Sequence, residues 1–425
     1  MKILLICHDF EPMSTSPRAL RWSAIARQWA QEKHSVDVIC AQNGEPQLRN
    51  IKQAVKLFPV GSRQRLRTQY AKQQYLQSTP QKNNPLWRVA RMLYQKTWRQ
   101  LYWPDSACMW YYPALRKSLK LLKNEHYHAL ITVSHPMTCH RVGLTLKNYF
   151  PQLPWLTDIG DPFSFLSMPA VNNHKRYMVK NQILETKVLQ QTDSIVVTNT
   201  NCKEVYLQHF PQTERSKIAI VPPMLTLNDL STKRLPRLSA IVRWLFVGTL
   251  YQDIRNPLFL LRLFSAVQDS EQQLHCYGQV NNCYNYFIEF MDQHQSQIFL
   301  HGVTSHDKIP ELFATADILV NIGNKTSYQC PSKIVEYIAS GKPILHISNC
   351  EADASLEYLA TYPSLLVLKN HNDTPSTEQI NQLRAFLKHL PKKIAADPLQ
   401  MLISPYKVEK VSHEYQKLLE QIFTS

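Results

Sequence analysis

Apolar runs five to seven residues long recur along this chain, most of them followed by a stretch whose apolar positions repeat with helical period. The runs are Lys2–Cys7, Val36–Cys40, Ala129–Ser134, Trp155–Ile159, Ser194–Thr198 and Lys217–Pro222 in the first half. In the second half they are Val242–Gly248, Leu274–Gly278, Ile298–Gly302, Asp317–Gly323, Pro343–Ser348 and Ser364–Leu368. Strand–helix alternation of this kind predicts parallel sheets joined by crossover helices, an α/β class. Between the two series, Pro222–Ala240 carries Pro222, Pro223 and Pro236 among Asn, Ser and Thr, and loses all period. The expected organisation is therefore a first domain over 1–222, a linker over 223–240, a second domain over 241–405 and a closing helix within 406–425. A length of 425 residues agrees with about two domains of roughly 100–200 residues.

Glycine is scarce and dispersed: Gly44, Gly61, Gly143, Gly160, Gly248, Gly278, Gly302, Gly323 and Gly341. Neither a G-x-G-x-x-G fingerprint nor a P-loop can be written from them. The nine cysteines contain no C-x-x-C, so reduced, mostly buried thiols are expected. The opening run "ILLIC" ends at His8 and Asp9, too soon for a signal peptide, and a cytoplasmic location is expected. The net charge of +16 is concentrated in Ile51–Lys123, with fifteen Lys or Arg against one acid, Asp105. There "PLWRVARMLYQKTWRQLYW" places Leu86, Trp87, Ala90, Leu93, Tyr94, Trp98 and Leu101 on one helical stripe, with Arg88, Arg91, Gln95 and Arg99 opposite. Such a stripe fits either a buried domain helix or attachment to the inner, anionic face of a membrane, through Trp87, Arg88, Arg91, Tyr94 and Trp98. Nucleic acid ranks third, because no recognisable motif accompanies the charge.

In "YQCPSKIVEYIASGKPIL" (328–345), Pro331 suits a first helical position, and Gly341 with Pro343 suits a stop. Lys333 then falls in the first turn, where the helix dipole favours an anion. Parallel α/β domains bind ligands beyond the carboxyl ends of their strands, so two facing domains create a cleft. Arg255, in "GTLYQDIRNP", and Lys333 both follow strand ends, and two cations there suit a diphosphate. Glu336, one turn further, can accept ribose hydroxyls. The alternative is an i,i+3 Lys–Glu pair on a solvated helix, contributing about 0.2–0.5 kcal/mol.

At these residues the chain resembles the GT-B-fold glycosyltransferases of the large retaining group known as family 4, whose members carry PSK-x-x-EY before GKPI. "MKILLICHDFEPMSTSPRALRW", "WPDSACMWYYPAL", "SHPMTCHRVGL", "PWLTDIGDP", "VGTLYQDIRNP" and "PSKIVEYIASGKPI" are similar to that group's landmarks, in order along nearly the whole chain. The resemblance implies two Rossmann-like domains facing across a cleft. It implies that Arg255 and Lys333 hold the donor diphosphate and Glu336 the ribose, with Thr249, Pro331 and Ser332 around them. Gly278 and the Gly302–Val303 turn would lie near the base. Ser14, Ser16 and Arg18 would line a loop facing the sugar or phosphates. His140 and Asp161 are first-domain candidates, although His140 also fits packing beside its helix and Asp161, before Pro162, also fits a turn. Tyr328 stands where many members carry an acid.

The implied reaction moves a sugar from a nucleotide-diphosphate sugar, as co-substrate, to a saccharide or lipid-linked saccharide acceptor in surface polysaccharide synthesis. Configuration would be retained, with no metal and no further cofactor; the sequence contains no D-x-D. The competing expectation is a non-catalytic nucleotide-sugar-binding protein of the same fold.

Overall fold

The computed structural model describes residues 1–42, 55–61, 97–166, 171–227, 241–267, 271–293 and 297–424. They divide into two compact units. The first comprises Met1–Thr198, Lys203–Thr226 and Val408–Ser425, and the second Asn199–Cys202 with Leu227–Lys407.

In the first unit the strands are β1 (Lys2–Cys7), β2 (Ser35–Ala41), β3 (Val55–Val60), β4 (Ala129–Ser134), β5 (Trp155–Ile159), β6 (Ser194–Val197) and β7 (Ile218–Ile220). They form one sheet in the order β3-β2-β1-β4-β5-β6-β7, and every pairing is parallel. Runs such as "ALITVS" are apolar throughout because both faces are covered: every residue of β4 is buried. Helix Pro17–Gln31 starts cleanly because Ser16 accepts the Ala19 N–H and Pro17 supplies a ready-made φ. The polar residues the core tolerates are paired. Thr132 meets both His140 Nδ1, at 2.7 Å, and Trp155 Nε1, at 2.9 Å.

The last helix, Val408–Thr424, belongs to this first unit although the whole second unit precedes it in sequence. Val411, Tyr415 and Leu419, spaced by one helical turn, are fully buried in the same core as Trp22 and Trp29. Trp22 Nε1 donates to Asp158 Oδ2 at 2.6 Å, and Tyr415 OH donates to Asp158 Oδ1 at 3.1 Å. Arg21 Nη2 donates to the same phenol at 3.0 Å. A buried carboxylate thus joins the first helix, the fifth strand and the last helix.

The second unit contains β8 (Val242–Val247), β9 (Gln272–Tyr277), β10 (Ile298–Gly302), β11 (Ile318–Ile322), β12 (Ile344–Ser348) and β13 (Leu365–Lys369), in the order β10-β9-β8-β11-β12-β13. All pairings are again parallel. Helix Leu258–Val267 reads as apolar on almost every side because Phe259, Leu260, Leu261, Leu263 and Phe264 all enter the core. In each sheet the chain runs one way from a central strand and then the other. The reversal falls between β1 and β4 in the first unit and between β8 and β11 in the second.

All nine cysteines are free thiols. Trp87, Arg88, Arg91, Tyr94, Pro236 and the rest of 228–240 lie outside the described residues; of the expected amphipathic helix only the turn Trp98–Leu101 is described, as helix. No helix of the described residues is long and apolar enough to cross a membrane.

Replacing Trp22 by Phe removes a donor from a buried carboxylate, and should lower unfolding free energy by about 1–3 kcal/mol. Tyr415→Phe should do the same, and the double variant should cost less than the sum because both act on Asp158. Urea unfolding with an unchanged m-value checks this.

Candidate functional site

Four of the nine glycines stand at the carboxyl ends of neighbouring strands in the second unit: Gly248 after β8, Gly278 after β9, Gly302 ending β10 and Gly323 after β11. Close approach explains the choice. A Cβ on Gly278, whose φ is +128°, would fall 1.8 Å from the Gly248 carbonyl oxygen, and one on Gly323 would fall 2.1 Å from Asp353 Oδ2. The Gly278 N–H donates to the Gly302 carbonyl at 2.7 Å. The crest of this sheet is therefore stripped of side chains at its centre.

Into this crest the segment after β8 turns back on itself through Tyr251 and Arg255, whose backbones pair at 2.8 and 3.2 Å. The turn returns the Arg255 guanidinium to the Thr249 carbonyl, at 3.3 Å, and to Asn324 Oδ1, at 2.9 Å. Thr249 follows β8 and Asn324 follows β11, so Arg255 bridges the chain reversal where open α/β sheets bind ligands. Arg255 Nε has no hydrogen-bond partner among the described residues, and burial lowers the guanidinium from its ordinary value. Asn324 is fixed in turn by donating to the Gln329 carbonyl at 3.1 Å.

The same loop runs on to Lys333, and here the sequence-based placement needs correcting. The helix begins at Ile334, not Pro331; Lys333 is its N-cap residue, preceded by a turn in which the Ile334 N–H meets the Pro331 carbonyl. Pro331 is buried and Ser332 exposed. The misplaced cation has a local anion: Lys333 Nζ lies 2.6 Å from Glu336 Oε2. Glu336 is buried, so the pair is no solvated helix-surface pair. His306 Nε2 sits 3.2 Å from the other oxygen, Oε1. His306 follows the Gly302–Val303 turn by three residues and was not anticipated from the sequence; its only signal was its place just past a glycine-ended strand. Burial alone would raise the Glu336 carboxyl, but the His306 hydrogen bond and the Lys333 charge outweigh it and hold the group below its ordinary value.

Beneath this loop, His346 Nε2 contacts Asp353 Oδ2 at 3.0 Å and His346 Nδ1 contacts Asn321 Nδ2 at 2.9 Å, all buried. Asn349 Nδ2 donates to the Gly323 carbonyl at 2.6 Å. These polar groups, also absent from the sequence reading, fix the backbone from which Asn324 projects.

The crest of the first unit gathers a second group. Ser14 and Ser16 form the turn entering helix Pro17–Gln31, with Ser14 Oγ accepting the Ser16 N–H at 3.3 Å. Arg18, in the first helical turn, donates from Nη1 to the His135 carbonyl after β4, at 2.9 Å, and its Nη2 lies 3.9 Å from Asp161 after β5. Gly160 permits this, since a Cβ there would meet Arg18 Nη2 at 2.6 Å. Ser14, Ser16, Arg18 and Asp161 are thus brought together. His140 does not join them. It faces the sheet, is 1% exposed, and burial lowers its imidazole to about 3, which fits the packing alternative. His135, five residues earlier, occupies the crest position instead. Among the described residues no group of three or more His, Cys, Asp or Glu is placed to hold a metal ion.

Residues 242–383 match the family model described as "Glycosyl transferases group 1". No curated protein matches the chain. Among solved structures, sucrose-phosphate synthase from Thermosynechococcus elongatus aligns over 100% of this chain and 99% of its own, with TM-score 0.67 and 13% identity. The catalytic domain of starch synthase IV from Arabidopsis thaliana, bound to ADP and acarbose, covers 100% of both chains at TM-score 0.61 and 11% identity. The lipopolysaccharide outer core galactosyltransferase WaaB, in apo form, covers 99% of both at TM-score 0.61 and 11% identity. The chain has the GT-B fold, with two Rossmann-like parallel-sheet domains.

Two outcomes test this geometry. Gly278→Ala should destabilise the second unit by more than about 3 kcal/mol, through backbone clash and strained φ together, read by thermal unfolding. Because the Glu336 carboxyl titrates lower in the folded chain, its stabilisation is complete above the unfolded value and is lost as pH falls through the folded one. Glu336→Gln should therefore flatten the stability–pH curve below about pH 4.5 and leave its slope near neutrality unchanged.

Proposed function

We propose that the chain is a glycosyltransferase that moves a sugar from a nucleotide-diphosphate donor, bound in the second unit, to a saccharide or lipid-linked saccharide acceptor on the first. The observation that carries this is Arg255, a half-buried cation bridging β8 and β11 above a crest cleared by glycines. Such a site accommodates a phosphate backbone closely and neutralises it with directional donors. Lys333 adds charge: an ammonium has three N–H donors, and Glu336 occupies one of them, so the others remain for phosphate oxygens. Glu336 is oriented by Lys333 and His306 and supplies acceptor capacity for a ribose.

When the glycosyl bond breaks, negative charge grows on the leaving diphosphate, and fixed cations stabilise that state more than the bound donor. The charge is assigned to side chains rather than to a metal. Retention of configuration follows the resemblance to the retaining group, as does a role in surface polysaccharide synthesis, to which the lipopolysaccharide galactosyltransferase fold neighbour lends support. The ADP seen in the starch synthase neighbour illustrates the ligand class. Arg18 and Asp161 are the groups proposed to meet the acceptor or the transferred sugar.

A thermal-shift panel of UDP-, GDP- and ADP-sugars should raise the melting midpoint with at least one nucleotide, since a ligand at 100 times its Kd adds about 2.7 kcal/mol. Arg255→Ala should remove the shift and lower kcat/KM about 100-fold or more. A shift with no transferred sugar in the presence of acceptor extracts would favour the non-catalytic binding protein. No shift with any nucleotide would overturn both.

A further inference from the structure

The helices on one face of the first sheet carry a charge and apolar pattern that sugar transfer does not account for. Helices Tyr111–Asn124 and His174–Gln191 both pack against helix Thr138–Tyr149. Residues 97–124, 138–149 and 171–191 hold eleven Lys or Arg and two acids, Asp105 and Glu185. Both acids are buried. Asp105 accepts from the Thr138 backbone and hydroxyl, and Glu185 from the Phe163 and Ser164 N–H groups and the Tyr206 hydroxyl. Of the acids that flank these stretches, Asp193 engages Lys147 at 2.7 Å and Glu125 pairs with Lys2, so the outward face keeps a cationic excess.

Apolar side chains interrupt that charge. Leu101, Met109, Tyr112, Met178, Val179 and Ile183 are each 50–69% exposed. Named contacts make them one surface: Tyr177 OH donates to the Leu101 carbonyl at 2.9 Å, Trp103 Nε1 donates to Asn181 at 3.0 Å, and Arg141 lies over both Trp103 and Tyr111. Tyr112 packs edge-on against Tyr111. Around them stand Arg116, Lys120, Lys123, Lys175, Arg176, Lys180 and Lys187, all exposed.

We propose that this face docks on an anionic lipid bilayer. Unbranched and β-branched aliphatics exposed among lysines and arginines suit the headgroup–acyl boundary, where the chains enter and the cations meet lipid phosphates. A nucleic acid would use the same cations but gain little from Met178, Val179 and Ile183, since it is bound by base stacking and phosphate contacts. The surface lies outside the basic stripe of residues 86–101 except for Leu101, and needs no donor site to operate.

The test is sedimentation of the full chain with phosphatidylcholine vesicles, with and without about 30 mol% phosphatidylglycerol. Anionic vesicles should bind at least about tenfold more tightly, and raising the salt should release the protein. Replacing Lys120, Arg176 and Lys180 together by Gln should weaken binding about 30-fold or more. The pair Met178→Ser and Val179→Ser should weaken it several-fold and leave a residual, more salt-sensitive attachment. All five are exposed, so the thermal midpoint should not move; if the Gln variant does not fold, the Ser pair and the salt titration decide. Equal partition to neutral and anionic vesicles, or binding that neither variant weakens, would overturn the proposal. So would tighter binding of a duplex oligonucleotide at equal phosphate concentration. Vesicle binding is read without any sugar, so failure here leaves the donor-site reading intact.

Discussion

Every strand pairing in both sheets is parallel, and most of what the molecule can do follows from that. Parallel strands leave their carboxyl ends along one edge, and the loops that follow them must share that edge. The sequence meets the resulting crowding by placing its few glycines there. Gly248, Gly278, Gly302 and Gly323 let four neighbouring turns approach within hydrogen-bond distance of each other or of buried polar side chains. Arg255 then spans the reversal from β8 to β11, and the loop that carries Asn324 also carries Lys333. The candidate site is thus a product of topology first and of residue chemistry second.

Fold and site were not equally legible in the chain. Twelve of the thirteen strands among the described residues were read, because a strand covered on both faces is almost wholly apolar, as in "ALITVS" or "DILVNIG"; β3 was missed, since "VKLFPV" lies at the sheet edge, carries Lys56 and Pro59 and is only half-buried. The helix at 334–340 was placed three residues early, because Pro331 is as acceptable in a turn before a helix as at its first position. That slip made Lys333 look misplaced. The explanation, Glu336 held between Lys333 and His306, draws on a histidine thirty residues away, a distance no local pattern spans. His140 was named from the sequence and His135 was not. Both sit in "SHPMTCH", yet Gly143, whose Cβ would meet Trp155 at 2.6 Å, marks the helix face pressed on the sheet, and His140 lies on that face.

Charge placement separates the two units in role. The second unit keeps its site cations engaged with Asn324, a backbone carbonyl and Glu336, which suits a small ligand recognised at fixed positions. On the first unit, the helices Tyr111–Asn124, Thr138–Tyr149 and His174–Gln191 keep Asp105 and Glu185 in the core, where they organise backbone, while most of the basic side chains of that face stand in solvent. Buried acids of this kind stabilise loops through charge-assisted hydrogen bonds while leaving the outer field positive.

The return of the last helix to the first unit has a consequence for how the protein is made. Trp22, Trp29 and Asp158 emerge from the ribosome long before Val411, Tyr415 and Leu419, which complete their surroundings, because the whole second unit is synthesised in between. Until Leu419 has emerged, the first unit carries an uncovered apolar groove and a half-satisfied carboxylate, a state open to chaperones and proteases. A chain cut anywhere within the second unit therefore leaves even the first unit unfinished.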